Sequence, residues 1–447
     1  MESNLKKTLN IPQVIALASG GMVAAWMVEI KDWFSWSGTG SLLALLFCGI
    51  LVLPLCFIYS EMTAMLPYAG GENIWVSNAF GWDLGWLECL FTILMYVMAM
   101  PTVSMGISSM LIYLYDGITT AQLQLLAVVI LAIWYILSNF ELKILSKIQS
   151  WLFWGTLIVS LGADLIFIFS GQWSFANLKP WFPNGAPGFG LAVALMIMKF
   201  IGFDMIPQLA EECDFPKKKM WIAFLGSILA TVAIYGTAIF AVGGIVSNEW
   251  IAEVDIVDPN VADLLNMHWL AVVIVIMGAL TCLTTLTGFW ASASRTFLGA
   301  AEQRQFTPVL GKINKHGQPW VANIVVLVLS VFFTCLAPES WVNYIYTIYG
   351  FTAGIVYLLV CLSFLKLRKS KPQWERPFVL KGGIFWGCFG IVFCLYVIYQ
   401  SATSLDTGAI TALAIYLALG VIFWVYAKIM QKKKPELWSK TIIGPKQ

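Results

Sequence analysis

Apolar runs of about 20 residues recur from one end of this 447-residue chain to the other. A helix of that length matches the thickness of the hydrocarbon core of a bilayer. The runs are continuously apolar and lack the period-two alternation of membrane strands, so they predict helices rather than a barrel. Only 11% of the residues are charged, whereas a typical soluble domain carries about 25%. The sequence therefore predicts an all-α polytopic membrane protein.

The runs number about twelve and are separated by shorter polar segments. Their approximate positions are 11–33, 41–66, 84–115, 121–139, 150–169, 189–209, 221–246, 269–297, 320–336, 341–365, 383–399 and 410–429. All but three of the 26 basic residues fall in one alternating set of loops or at the termini; the exceptions are Lys31, Lys179 and Lys199. Loops rich in lysine and arginine stay in the cytoplasm. This distribution predicts a multi-pass protein of the cell (plasma) membrane with both termini cytoplasmic.

The predicted spans divide into two blocks of five and a final pair. Because five is odd, the second block enters the membrane in the opposite orientation to the first, which makes the blocks inverted repeats. The predicted divisions are a cytoplasmic N-terminus (1–10), a first inverted repeat with spans 1–5 (11–171), a second with spans 6–10 (172–366), a basic loop with spans 11 and 12 (367–430) and a cytoplasmic tail (431–447).

The first span of each block carries helix-breaking residues near its centre. Span 1 contains Ser19-Gly20-Gly21, and span 6 contains Lys199, Gly202, Asp204 and Pro207. Glycine lowers helix propensity, and proline removes a backbone hydrogen bond. Irregular backbone at membrane depth is tolerated only against protein or water, and a charge there costs roughly 2.5–3.5 kcal/mol. Paired interruptions in inverted halves favour a transport site at the midplane. For Ser19-Gly20-Gly21 the alternative is close helix packing.

Four stretches, in this order, resemble motifs of the amino acid–polyamine–organocation family of secondary transporters. They are Pro67–Gly81 (PYAGGENIWVSNAFG), Gly202–Lys218 (GFDMIPQLAEECDFPKK), Arg295–Pro319 (RTFLGAAEQRQFTPVLGKINKHGQP) and Arg376–Phe378. The resemblance covers all twelve spans. It implies the LeuT-like fold, with a 5+5 inverted repeat plus two C-terminal helices, and transport by alternating access. It also implies that substrate binds between the unwound parts of spans 1 and 6, with spans 3, 8 and 10 closing around it.

One position departs from the pattern of the family. Members usually carry a Gly-x-Gly turn in span 1, whose backbone N–H groups hold the carboxylate of an amino acid. That turn falls on Ala24-Ala25-Trp26 here. Either Ser19-Gly20-Gly21 takes over the opening of the helix, or the carboxylate site is altered.

Two charged residues of span 6 are candidates for a role in transport. Asp204 matches the acidic position that the family often has after Gly-Phe; it could pair with a substrate amine, act as a proton-linked gate, or balance Lys199. Lys199 could attract a carboxylate or stand in for a coupling ion, since the pKa of a buried lysine falls readily. The alternatives are a buried pair with Asp164 or Asp204, or a side chain that snorkels along a water-filled vestibule.

Aromatic residues near both interruptions could form a wall around an amine, with cation–π stabilisation of about 2 kcal/mol. The candidates for the wall are Trp26, Phe200, Phe203, Tyr344 and Tyr349, and the alternative for each is packing or interfacial anchoring. The complete set of candidate substrate-binding residues is Ser19, Gly20, Gly21, Ala24, Trp26, Lys199, Phe200, Gly202, Phe203 and Asp204.

The coupling ion stays open between a proton, sodium and exchange, so the protein is a symporter or an antiporter. Some members of the family carry a lysine in span 5 that substitutes for sodium, but the chain reads Trp154-Gly155-Thr156 there. Sodium would need oxygen ligands from the opened span 1 and from hydroxyl groups in span 8. The ion-coupling candidates are Thr284, Thr285, Lys199 and Asp204. No organic cofactor and no resident metal are expected.

The favoured function is a secondary active transporter, or permease, of amino acids. The alternative is a transporter of an organic amine without a carboxylate, such as ethanolamine or a polyamine. An enzyme is disfavoured, because the chain has no HExxH or GxSxG pattern and no histidine deep in a span. The expected partners are a small amine-bearing solute and membrane lipids, and not nucleic acid.

Overall fold

A computed structural model of the protein describes residue 7 and residues 9–24, 26–110, 113, 115, 117–140, 142–338 and 340–445, without the side chains of residues 142–146. Apart from one isolated bridge between Leu9 and Cys213, the regular structure of these residues is helical. The α-helices are α1 (Ile11–Met22), α2 (Trp26–Ser37), α3 (Ser41–Met65), α4 (Gly71–Phe80), α5 (Trp82–Met110), α6 (Thr120–Leu137), α7 (Leu142–Ile168), α8 (Gly185–Leu195), α9 (Met205–Gln208), α10 (Met220–Gly243), α11 (Asn248–Glu253), α12 (Val257–Leu264), α13 (His268–Glu302), α14 (Trp320–Cys335), α15 (Trp341–Ser370), α16 (Gly383–Thr403), α17 (Thr407–Lys433) and α18 (Pro435–Trp438).

These helices confirm the prediction of an all-α polytopic membrane protein. Among the described residues, ten helical stretches are long and apolar enough to cross a membrane, and α1 and α14 are shorter apolar helices. One of the ten, Trp26–Met65, has 40 residues, about twice what one crossing needs. It turns at the 3₁₀ segment Gly38–Gly40, where Gly38 has a φ of 56°. When α1 and α2 are taken as one interrupted crossing, and α8 with α9 as another, the part of the chain that the structure describes contains twelve spans.

Each predicted span corresponds to one helix or one broken pair. Span 1 is α1 with α2, span 6 is α8 with α9, and the others are α3, α5, α6, α7, α10, α13, α14, α15, α16 and α17. The largest difference between a predicted and an observed boundary is in span 5, where the helix begins at Leu142 rather than near residue 150. The helix extends past its apolar run because a polar sequence can continue a helix outside the membrane. The predicted domain boundaries stay a prediction.

The bundle has a buried centre and a lipid-facing rim. In α5, 94% of the most apolar stretch is buried inside the protein, whereas the corresponding value for α6 is 22%. Large apolar side chains of the rim, such as Ile158 and Ile422, are exposed on the outside of the bundle. A soluble protein could not leave so much apolar surface uncovered, but a bilayer covers it. The two interrupted spans lie at the centre, where irregular backbone can be satisfied by protein.

Short elements close the bundle at both ends. On the side that carries the two chain termini, α4 packs against α5 and α15, and the backbone of Leu9 pairs with Glu212 and Asp214. On the opposite side, α11 and α12 pack against α2, and the Asn248 amide donates to the Pro180 carbonyl at 2.8 Å. The centre of the bundle is therefore covered at each end.

Candidate functional site

The interruption of span 1 begins at Val23, further along the chain than the sequence suggested. Ser19, Gly20 and Gly21 are helical and belong to the last turns of α1, which ends at Met22. The prediction that Ser19-Gly20-Gly21 opens the helix is therefore wrong in position. The opening contains Val23 and Ala24, and α2 begins at Trp26; Ala25 lies outside the described residues. The opening therefore overlaps Ala24-Ala25-Trp26, the position at which the resemblance places the Gly-x-Gly turn of the family.

Two hydroxyl groups satisfy the backbone at this opening. The Tyr235 hydroxyl donates to the Met22 carbonyl at 2.5 Å and accepts from the Ala24 N–H at 3.0 Å. The Thr285 hydroxyl lies 2.5 Å from the Gly20 carbonyl oxygen and 3.1 Å from that of Val23. An unpaired buried backbone group costs roughly 1–3 kcal/mol. By pairing these backbone groups, the two side chains stabilise the opening of the helix.

The two glycines of span 1 allow close packing, as their alternative interpretation proposed. A Cβ atom on Gly21 would lie 2.2 Å from the Met205 methyl group, and one on Gly20 would lie 3.0 Å from the Thr284 hydroxyl. The nearby Ser19 hydroxyl faces the Ser227 carbonyl at 3.5 Å. Thr284 itself donates to the Thr281 carbonyl within α13 at 2.7 Å. These residues join the helices rather than expose free polar groups.

The interruption of span 6 confirms the predicted break. After α8 the chain continues as a 3₁₀ segment, Met196–Phe200, and α9 begins only at Met205. Gly202 has a φ of 142°, a conformation that side chains rarely adopt. Its N–H donates to the Asp204 carboxylate at 2.5 Å, and the Tyr96 hydroxyl donates to the Asp204 carbonyl at 2.8 Å. The aspartate therefore holds the turn together locally.

The two interruptions meet face to face. A Cβ atom on Gly202 would lie 2.9 Å from the Ala18 carbonyl oxygen and 2.7 Å from the Met22 side chain. Beside this contact is a small cavity with about 10 Å³ of free space, room for about one water molecule. It is lined by Gly21, Met22, Ala24, Ala99, Thr102, Val103, Met198, Lys199, Ile201, Thr285, Phe289 and Tyr349, which come from spans 1, 3, 6, 8 and 10. This set of spans is the one that the resemblance implied.

The structure brings only some of the predicted residues to the cavity. Gly21, Ala24, Lys199 and Thr285 line it; Ser19, Gly20, Trp26, Phe200, Gly202, Phe203, Asp204 and Thr284 are not among its lining residues. The sequence reasoning missed most of the apolar lining, which includes Ala99 and Val103 of α5. Pro101 between them marks this part of span 3, but ordinary apolar residues in a long apolar run give no signal of their own.

The aromatic residues divide between the cavity and its surroundings. Of the five wall candidates, only Tyr349 lines the cavity, where its ring lies 6.4 Å from that of Phe289. Phe203 packs against the rings of Tyr59 and Tyr357 at 5.1 and 5.5 Å. Phe200 contacts Gly49 of α3, and Tyr344 is buried near Gly408. The wall that faces the cavity is therefore Phe289 with Tyr349.

Lys199 forms a buried ion pair whose partner was not expected. Its ammonium group contacts the carboxylate of Glu29 in α2, and the two side chains are 1% and 0% exposed. The predicted partners were Asp164 and Asp204, but the Asp164 carboxylate accepts from the Thr237 hydroxyl at 2.6 Å and Asp204 accepts from Gly202. The pair therefore ties α2 to the unwound part of span 6.

Three aromatic rings enclose the ammonium group of this pair. The Lys199 nitrogen lies 5.5, 5.2 and 5.2 Å from the ring centroids of Trp33, Tyr235 and Tyr346. Desolvated cation–π contacts add about 2 kcal/mol, which offsets part of the cost of burying the charge. The lysine reaches the cavity with its charge already neutralised.

Polar contacts lie on both sides of the cavity. On the side of the chain termini, Glu61 pairs with Arg368 and Arg376, and the Arg295 guanidinium lies 2.7 Å from Glu212. On the opposite side, the Trp26 indole donates to the Asp258 carboxylate at 3.2 Å, and burial raises the pKa of Asp258 to about 6. Every lining residue is buried, so this conformation is occluded.

The amino acid permease family matches residues 9–425, which are nearly the whole chain. A buried cavity between two interrupted membrane helices defines the class, a membrane transporter. The chain belongs to the amino acid permease family, within the amino acid–polyamine–organocation transporters that its motifs resemble.

Several curated relatives align over most of the chain. The aspartate-proton symporter of Bacillus subtilis (strain 168) is 22% identical over 90% of this chain and 80% of its own length. The branched-chain amino acid permease BcaP of the same organism is 23% identical over 96% and 94%, respectively. The gamma-aminobutyric acid permease of Escherichia coli (strain K12) is 25% identical over 91% and 90%. An amino acid transporter therefore fits the chain, and the polyamine alternative is weaker.

The contact between the interruptions predicts that Gly202→Ala destabilises the protein by about 1–3 kcal/mol, because the residue would be strained and its methyl group would meet the Ala18 carbonyl. Thermal unfolding in detergent measures the effect. The matched control is Gly162→Ala in α7, where nothing lies within 4 Å of the added carbon; it should be neutral or stabilise by up to about 1 kcal/mol. Equal unfolding temperatures for the two variants would contradict this account.

The buried pair predicts that Lys199→Met costs about 3–5 kcal/mol, because it leaves the Glu29 charge unpaired inside the protein. The double variant Lys199→Met/Glu29→Gln should recover much of the lost stability. The control is Lys31→Met, which removes the exposed pair with Asp255 and should cost about 0–1 kcal/mol. If the double variant is no more stable than Lys199→Met, the two charges are not energetically coupled.

Proposed function

We propose that this permease carries a neutral amino acid with an apolar side chain across the cell membrane. The observation that carries the proposal is the composition of the cavity lining. Apart from Lys199, the lining residues are uncharged, and the charge of Lys199 is balanced by Glu29. A substrate with a net charge would enter this closed, apolar space without a counter-charge, which is costly.

The helix ends around the cavity suit the two charges of a zwitterion. The N-terminus of α2 presents N–H groups and a positive dipole end, which favour a carboxylate. The C-terminus of α1 has a negative dipole end, and its carbonyl oxygens keep a second lone pair beyond the bonds from Tyr235 and Thr285, so it favours an ammonium group. Both ends adjoin the same opening. An amine without a carboxylate would use only one of them.

The apolar lining of the cavity also limits the substrate. Its free space of about 10 Å³ is far below the roughly 300–1,000 Å³ of typical small-molecule pockets, so the lining side chains have to move apart before an amino acid fits. Met22, Val103, Met198 and Ile201 supply an apolar surface, and Phe289 and Tyr349 cover it. This lining favours apolar side chains, such as those of alanine, valine or leucine, over charged ones.

Transport would proceed by alternating access around the two interruptions. The openings after Met22 and after Phe200 are the places where a helix can bend without breaking regular hydrogen bonds. Opening one side separates the Glu61 pairs, and opening the other separates Trp26 from Asp258. The bias of basic residues toward one set of loops supports a cytoplasmic location of both termini in the cell membrane.

A competition experiment tests the substrate class. In proteoliposomes, leucine, valine or alanine should drive counterflow, and unlabelled neutral amino acids should compete with it. Glutamate and isopentylamine, which is decarboxylated leucine, should compete poorly, because one adds a charge and the other lacks the carboxylate. Competition by the amine or by glutamate, without competition by neutral amino acids, would overturn the proposal.

A further inference from the structure

After α17 the chain folds back onto the end of the bundle that carries the termini. This tail, defined here as Pro435–Ile443, begins with the short helix α18 and continues without regular structure. Trp438 anchors it: the side chain is 3% exposed, and its ring lies 5.7 Å from that of Tyr426 in α17, edge to face. Tryptophan buries a large apolar area, so it fixes the tail in one place.

Polar contacts attach the tail to the corner between α4 and α5. The Asn78 side chain of α4 donates to the Ile443 carbonyl at 2.7 Å. The Lys440 ammonium group lies 3.2 Å from the Asp83 carboxylate at the start of α5 and 5.0 Å from the ring centroid of Trp82. These contacts join residues more than 350 positions apart, so the tail holds two distant parts of the chain together.

The tail also covers a seam, the line at which α4 meets the end of α13. The Gln303 carbonyl, just after α13, accepts from the Trp82 indole at 2.8 Å, and the Thr441 N–H lies 3.5 Å from the same oxygen. Beneath it, the Gln303 amide donates to Asn73 of α4, and the Asn73 amide donates to Gln305, both at 2.6 Å. The tail therefore bridges the two elements on either side of the seam.

α4 closes the bundle next to the interruption of span 6. The Gln208 side chain of α9 accepts from the Gly70 N–H at 2.9 Å and donates to Glu72 at 2.5 Å. A Cβ atom on Gly299 of α13 would lie 2.7 Å from the Ala69 carbonyl oxygen, so the segment before α4 packs directly on α13. For water to reach the cavity past α9, α4 has to separate from α9 or from α13.

We propose that the tail is an autoinhibitory clasp, which holds α4 against the end of α13 and slows the opening of the cavity on the side of the chain termini. Lys440 and Asp83 are 45% and 50% exposed, and exposed ion pairs are weak, so the clasp can release while the bundle stays folded. α17 keeps its own contact with α5, because the Tyr416 hydroxyl donates to the Leu90 carbonyl at 2.7 Å. The proposal rests on the proposed function only in requiring a cavity that opens alternately.

The thiol of Cys89 reports opening at the seam. It belongs to α5, is 0% exposed and lies beside the Asn73 side chain. Cys48, also 0% exposed, lies toward the opposite end of the bundle in α3 and reports loosening elsewhere. When opening is fast relative to the reaction, modification of a buried thiol tracks the population of the open form.

Deletion of residues 435–447 therefore tests the clasp. In detergent, the deletion should raise the rate at which N-ethylmaleimide modifies Cys89 by about threefold or more relative to Cys48, because the loss of even one hydrogen bond shifts an equilibrium by about that factor. Mass spectrometry of the peptides measures both cysteines. In proteoliposomes the initial rate of leucine counterflow should also rise several-fold.

Point variants separate the clasp from a general effect of the tail. Trp438→Ala should reproduce the deletion, and its matched control is Leu437→Ala, which changes the neighbouring, exposed side chain. Lys440→Gln should give a smaller increase. Its control is Lys432→Gln, which removes the same charge from the exposed last turn of α17 and should behave like wild type.

An unchanged rate for Cys89 after the deletion would overturn the clasp. An equal rise for Cys48 would also overturn it, because the tail would then stabilise the whole fold and not the seam, and so would equal effects of Trp438→Ala and Leu437→Ala. Failure of the wild type to exchange any amino acid would instead refute the proposed function. The modification of Cys89 needs no substrate, so it decides on the clasp in either case.

Discussion

The need to satisfy backbone polar groups inside a membrane determines where the membrane helices of this protein can be interrupted. Each opening in spans 1 and 6 frees carbonyl and N–H groups that no water or lipid can pair. Tyr235 and Thr285 pair those of span 1, and Asp204 and Tyr96 pair those of span 6. The cavity exists because side chains from three helices, and from the turn before α9, hold the main chain open.

The buried charged side chains near this cavity are of two kinds, those in an ion pair and those without a cationic partner among the described residues. Lys199 and Glu29 neutralise each other within an aromatic enclosure, so their energetic role is to join two helices without adding net charge. Among the described residues, Glu72, Glu88 and Asp204 have no cationic partner, and one oxygen atom of each accepts no hydrogen bond. A paired charge is fixed, whereas an unpaired carboxyl group can respond to hydration.

The occluded conformation links these features to movement. Ion pairs of Glu61 and Glu212 lie on one side of the cavity, and the contact between Trp26 and Asp258 lies on the other. Each of these contacts joins an interrupted span, or a helix next to one, to another helix or loop of the bundle. Small rotations about the two openings can therefore exchange the contacts of one side for those of the other, while the rim of lipid-facing helices keeps its place.

Hydropathy, charge distribution and helix-breaking residues were enough to predict the all-α class, the twelve spans and the two interrupted helices, because a bilayer imposes one length and one polarity on every crossing. The motifs identified the family. The sequence did not locate the opening of span 1, since Gly20 and Gly21 serve close packing there and the break falls at residues without helix-breaking character. It also did not pair Lys199 with Glu29 or place Glu72 near Asp204. Those contacts join residues about 130 to 170 positions apart, and only the packing of the folded bundle decides which distant side chains become neighbours.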